Sequence, residues 1–279
     1  MNCYKMTLRM TLPVNRPSYE TVIEIGGIPI KLQAADQDFD RLLKARYGEY
    51  VTSGTKADFT FEMDLTPPGT FNADADAEVW LEGREWHMKR GDFRAQWSEE
   101  TRRGRVRQSA NPYSIDSVLR ITHTLLLAST GGFLLHAASA VRNGKAYLFS
   151  GLSEAGKTTI SRLAPPDVTL LTDEVSYVRR FDDQYFAYGT PFAGELGEPG
   201  KNISAPIAAV YLLGKAPDNR IVPIDPAQAI RRLMRNILFF AHDPELVRKV
   251  FESACNFVAS VPVSQLSFFP DQRVWELIG

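Results

Sequence analysis

The chain has 279 residues, 44% of them hydrophobic and 23% charged, which is close to the soluble globular average and enough for one large domain or two modest ones. Lysine and arginine total 32 against 33 acidic residues, a net charge of -1, so the basic excess of a nucleic-acid binder is missing. Cys3 and Cys255 are too few and too isolated for a disulfide framework or a zinc site, and no apolar run is long enough for a signal-peptide core or a bilayer span; the expectation is a cytoplasmic protein with no membrane and no nucleic-acid partner.

Up to about residue 111 the pattern is short alternating runs between turn signals. YETVIEI (19–25) and IPIKLQA (28–34), joined by Gly26-Gly27, predict a hairpin. A helix is expected over about 36–46, a strand over 57–65, and a meander of three or four strands over 77–108. Arg102, Arg103, Arg105 and Arg107 cluster in its last part and read as a solvated edge strand, with contact to an acidic peptide or a phosphate as the alternative. From Asn111-Pro112 onward the pattern changes. Apolar residues at helical spacing predict a helix over 114–130, with Ser114 as N-cap and Gly131-Gly132 closing it. FLLHAASAV (133–141) and KAYLFSG (145–151) read as strands of a hairpin turned by Asn143-Gly144. A short helix over about 157–164, a strand pair over 168–180 and a strand over 205–214 follow. Helices at 226–237 and 243–258, a strand at 263–269 and a terminal helix at 271–278 complete the chain. These patterns predict a mixed α+β and α/β fold: a β-rich domain over 1–111 for substrate recognition or assembly, then a domain over 112–279 with helices on a mixed sheet.

Between the strand at 145–151 and the next helix, Gly151-Leu152-Ser153-Glu154-Ala155-Gly156-Lys157-Thr158 satisfies G-x-x-x-x-G-K-[ST], and Thr159 follows. The glycines let backbone approach an anion, the N–H groups form a nest for phosphate oxygens, Lys157 supplies a point charge, and Thr158 offers a hydroxyl to magnesium. Glu154 is the discordant residue, since a carboxylate in a phosphate cradle repels the ligand unless it points away or meets a cation. One helix and one strand later, Asp173-Glu174 supplies acids suited to magnesium binding or to deprotonating an acceptor hydroxyl. Adjacent acids on an extended segment face opposite sides, whereas at a strand-to-strand bend both reach the phosphates, and the sequence leaves open which one serves. The glycine-rich stretch 190–200 reads as a substrate or lid loop. His136 lies in an apolar run and by itself reads as a core histidine; His87, His123 and His242 show no metal spacing.

FLLHAASAVRNGKAYLFSGLSEAGKTTI, then LLTDEVSYV and YGTPFAGE, resembles the C-terminal catalytic domain of HPr kinase/phosphorylase and its shorter HPr-kinase-related kinases. The loop itself also resembles that of ATP-dependent phosphoenolpyruvate carboxykinase. The resemblance covers about residues 114–279 and implies a P-loop kinase fold using ATP and Mg²⁺. It implies an active-site role for His136, contact of Lys157 with the β- and γ-phosphates, and magnesium on Thr158. The family's acid pair falls on Asp173 and Glu174, one of which acts as base, with Asp173 also available to the metal; Glu195 is the nearest counterpart of a further magnesium-binding glutamate. The acceptor implied is a serine hydroxyl of a protein or peptide, as in enzymes that phosphorylate lasso-peptide precursors. This chain has Lys157-Thr158-Thr159 where the family has Lys-Ser-Glu, and it lacks the family's glycine- and isoleucine-rich signature. Neither phosphorylase activity nor HPr as acceptor therefore follows. A nucleotide-binding regulator or scaffold without phosphoryl transfer and a small-molecule kinase are the alternatives, and homo-oligomerisation stays open.

Overall fold

The computed structural model describes residues 18–54, 56–69 and 75–279. Cys3 and the N-terminal segment read above for a signal peptide lie outside them. No helix of the described residues is long and apolar enough to cross a membrane.

The fold is mixed α/β, built on two large mixed sheets. The first contains β1 (Tyr19–Ile25), β2 (Ile28–Ala34), β3 (Val51–Thr52), β4 (Phe59–Thr66), β5 (Glu78–Glu82), β6 (Glu85–Arg90), β7 (Phe93–Ser98) and β8 (Arg103–Ser109), in the order β3-β1-β2-β4-β8-β7-β6-β5. The expected hairpin and the meander are both present, the latter as four antiparallel strands. β8 is not an edge strand, however. It lies between β7 and β4 and pairs with β4 in parallel. That parallel pairing crosses over a long connection, which alternation along the strand does not reveal.

Helix α1 (Gln37–Tyr47) is capped by the Asp36 carboxylate, and α2 (Pro112–Thr130) by Asn111. Asn111, not the expected Ser114, is the cap because Pro112 has its φ preset for the first helical position and lacks the N–H that would go unpaired there. The Asn111 side chain accepts from the N–H groups of Tyr113 and Ser114, both at 3.0 Å. Ser114 is buried instead and donates its hydroxyl to Asp92 at 2.9 Å. Helix α2 packs against the second sheet and shares one apolar cluster with the buried face of the first. Asp116 of α2 ties down α1, accepting from Tyr47 at 2.6 Å and pairing with Arg46 at 2.7 Å.

The second sheet contains β9 (Phe133–Arg142), β10 (Lys145–Ser150), β11 (Thr169–Thr172), β12 (Val175–Phe181), β13 (Gln184–Tyr188), β14 (Ser204–Lys215), β15 (Arg220–Pro223), β16 (Ile237–Leu238) and β17 (Val263–Phe268). Alternation along its central strands buries both faces. Ala146 and Leu148 of β10 and Val210 and Leu212 of β14 join Leu233 of α4 (Pro226–Met234) and Phe257 of α5 (Pro244–Ser260). Tyr147, Phe149, Tyr211 and Leu213, their neighbours in the chain, turn to the other face with Ile160 of α3 (Lys157–Arg162) and Trp275 of the terminal 3-10 turn.

The helix expected over 226–237 stops at Met234. The Asn236 side-chain amide donates to the Arg232 carbonyl at 3.0 Å, and the next two residues pair with β9 as β16. Asn236 also accepts the backbone N–H of His136 at 2.7 Å, so the helix end holds the strand that carries this histidine.

Candidate functional site

β10 runs between β9 and β14, antiparallel to the first and parallel to the second, and ends at Ser150. The Gly151–Gly156 loop turns the chain from that strand into α3, the strand–loop–helix order expected of it. Gly156 sits at φ 111°, where a side chain is strained, and a β-carbon there would lie 2.7 Å from the Phe268 ring. Glu154 also has positive φ, at 63°.

The loop residues divide between two cavities. Ser153, Glu154, Gly156, Lys157, Thr158 and Thr159 line a pocket of about 910 Å³. Gly151, Leu152 and Ala155 line a smaller cavity of about 210 Å³. Glu154 is exposed at the larger pocket and has no cation paired with it among the described residues.

Lys157 is only 8% exposed. Its ammonium donates to the carbonyl oxygens of Gly151 at 3.1 Å and Leu152 at 3.3 Å. Burial pulls its pKa down, and Glu174 and Glu195 oppose that shift. Both glutamates line the same pocket. His136 Nε2 lies 3.6 Å from Glu174 Oε1. The strand register sets this pair, because Val175 of β12 lies opposite His136 of β9 and the Glu174 carbonyl accepts the N–H of Ala137 at 3.1 Å. Burial lowers the His136 pKa, with Lys157 and Arg120 adding to the effect and Glu174 opposing it. Burial therefore favours the neutral ring.

The acid pair sits in the bend between β11 and β12 rather than on an extended strand, and its two members make different contacts. Glu174 lines the pocket, while Asp173 is buried and is not among its lining residues. Both Asp173 carboxylate oxygens are engaged, accepting the backbone N–H groups of Gly194 and Leu196 at 2.8 Å each. Asp173 thus holds the 190–200 loop in place, and that loop presents Ala193, Gly194 and Glu195 to the pocket. Gly194 must be glycine at this approach: a β-carbon would lie 2.9 Å from an oxygen of each acid. The far end of the loop is tied to the first sheet's side of the molecule. Tyr50 donates to the Gly200 carbonyl at 2.9 Å, and Lys201 pairs with Glu49 at 2.8 Å.

Two cations in the pocket carry no motif and were not expected, Arg120 and Lys215. Arg120 comes from α2. Its guanidinium lies over the Phe192 ring at 4.8 Å, and its buried Nε has no hydrogen-bond partner among the described residues. It also lines a second cavity of about 620 Å³, formed by the N-terminal part of α2 and the ends of first-sheet strands. No group of three or more His, Cys, Asp or Glu side chains arranged to hold a metal occurs among the described residues.

Fold and site together define a mixed α/β protein whose glycine loop and buried lysine face carboxylates across an open pocket lined by three cations and three carboxylates. The family model of the SynChlorMet cassette protein ScmC matches residues 111–279, more than half of the chain. The chain belongs to that family. No curated protein matches. Among solved structures, the Hpr(Ser) kinase/phosphatase from Coxiella burnetii is 12% identical, with 48% of this chain and 84% of that chain covered and a TM-score of 0.28.

Proposed function

We propose that this chain is an ATP- and magnesium-dependent kinase that transfers the γ-phosphoryl group to a serine hydroxyl of a protein or peptide. One observation carries the reading. The loop that satisfies the phosphate-binding motif and an unrelated acid–histidine pair, Glu174 and His136, open into the same pocket. Lys157, Arg120 and Lys215 supply cations there for a triphosphate, beside the carboxylates of Glu154, Glu174 and Glu195. Arg120 also borders the second cavity, which gives an acceptor chain an approach to the phosphates from the α2 side.

In this reading the loop N–H groups and Lys157 bind the β- and γ-phosphates. Thr158, Glu195 and Glu174 are the residues available to Mg²⁺, whose ordinary sites use one or two carboxylates beside the phosphates. When bound, the ion would neutralise charge on the phosphate oxygens. Glu174 accepts the serine proton, the serine oxygen forms its bond to the γ-phosphorus, and the bond to the bridging oxygen breaks to release ADP. His136, neutral beside it, orients the carboxylate.

The test is transfer of labelled γ-phosphate from ATP to serine-containing peptides, read as one added phosphate by mass. ATP binding with no ADP formed across a broad peptide set would overturn the kinase and favour the scaffold. Arg120→Met supplies a second check. The methionine keeps the packing on Phe192 and removes a half-buried charge whose Nε has no hydrogen-bond partner among the described residues. Thermal stability is expected to rise by about 1 kcal/mol, while affinity for ATP falls about tenfold. Calorimetry and nucleotide titration read the two effects.

A further inference from the structure

Three long basic side chains stand in one row across the outer face of the first sheet. Lys89 of β6 lies opposite Arg94 of β7, and Arg94 lies opposite Arg107 of β8. Like charges directly opposite one another destabilise a sheet, so stability does not account for this row. Carboxylates neutralise only its ends. Glu78 lies 3.4 Å from Lys89, and Asp64 lies 3.7 Å from Arg107. Arg94, in the middle, is exposed and pairs with no carboxylate among the described residues. The next row carries an aromatic platform. Trp80, 41% exposed, stacks on His87 with centroids 5.3 Å apart and planes 14° off parallel. Both rows line a concavity of about 570 Å³. Protection of a sheet edge does not explain the arginines either, because β8 is an interior strand.

We infer that this face docks an acidic polypeptide segment, its carboxylates on Lys89, Arg94 and Arg107 and an apolar or aromatic residue on Trp80. Charge complementarity argues for the acid, and the exposed indole argues for a side chain beside it. The rim argues against nucleic acid. Glu62, Asp64 and Glu78 flank the cations on both sides, and a strand with a phosphate about every 3.4 Å would cross those carboxylates. A short peptide with separated carboxylates need not cross them. The site requires no phosphoryl transfer, so it stands or falls apart from the kinase.

The probe is a fluorescein-labelled peptide of alternating glutamate and tyrosine, titrated with the full chain and read by anisotropy. Binding is expected to saturate, to weaken as salt rises, and to fall about tenfold or more in Arg94→Glu and in Trp80→Ala. Lys157→Ala should bind like the unaltered chain. Arg94→Gln should bind less tightly yet melt about 1–3 °C higher, which separates lost docking from lost folding. No binding of the acidic peptide, or undiminished binding by Arg94→Glu, would overturn the inference. So would tighter binding of an oligothymidine of equal charge, which would make the face a nucleic-acid site.

Discussion

Lys157→Ala is expected to remove γ-phosphate transfer by at least ~100-fold and to abolish the stabilisation that ATP confers on the fold. The reason lies in what the ammonium touches. It is buried and donates to two loop carbonyls, those of Gly151 and Leu152, while Glu174 and Glu195 act on it from across the pocket. A phosphate oxygen offers it a stronger, charge-assisted bond than either carbonyl does. Without the ammonium, the negative charge of the phosphates meets those two glutamates with less to offset it. Folding and binding separate in the readout, because the two carbonyl bonds lost with the ammonium act with or without nucleotide. The check is a pair of melting curves. The unaltered chain should gain about 2.7 kcal/mol at a nucleotide concentration of ~100 Kd, and Lys157→Ala should gain almost none. Lys157→Arg should fail as well, because a planar fork does not fit a site shaped for a compact ammonium. An alanine variant that still binds ATP and turns over would remove the loop from the chemistry.

What the sequence made legible is what is contiguous in it. The Gly151–Thr158 motif, the Asn143-Gly144 hairpin and the four-strand meander each depend on neighbours in the chain, and each occurs where expected. The acid pair was legible as a pair, but it falls in the bend between β11 and β12, where strand alternation does not apply. Which one faces the pocket depends on the backbone N–H groups of Gly194 and Leu196, some twenty residues downstream, which engage Asp173. His136 was ambiguous for the same kind of reason, since its neighbour Glu174 comes from the opposed strand. Arg120 left a faint signal. It stands among Val118, Leu119 and Ile121 on a helix buried on nearly every side, and an arginine so placed needs an anion. The short strands β3 and β16 span only two residues each, too few to show a period. β8 misled because three arginines at alternate positions read as the exposed side of an edge, whereas they mark the outer face of an interior strand. His123, which showed no metal spacing, serves packing. It is buried on α2 against the Tyr177 hydroxyl at 3.0 Å, and burial pushes its pKa down to about 3.

The acid pair supplies the other large effect, because its two members should fail in different ways. Glu174→Gln keeps the shape of the side chain and takes away the proposed base. Transfer is expected to drop by about 10²–10⁴ in kcat, with nucleotide affinity little changed. Asp173→Asn should act through the loop. Asp173 accepts one N–H on each oxygen, and asparagine offers one oxygen and one amide, so one of the two bonds must be lost. The cost is about 1–3 kcal/mol of local order in the 190–200 loop. Its signature is a raised KM and faster amide exchange at Gly194 and Leu196, with kcat reduced only as far as Glu195 and Gly194 are displaced. His136 provides an independent readout, since Glu174 is the group that opposes the lowering of its pKa. Glu174→Gln should therefore lower the histidine's pKa further, while Asp173→Asn should leave it in place, and both are measurable by NMR titration. If Asp173→Asn abolished turnover with the loop intact while Glu174→Gln stayed active, the base would be the aspartate. The loop would then have to release both of its oxygens before phosphate could be transferred.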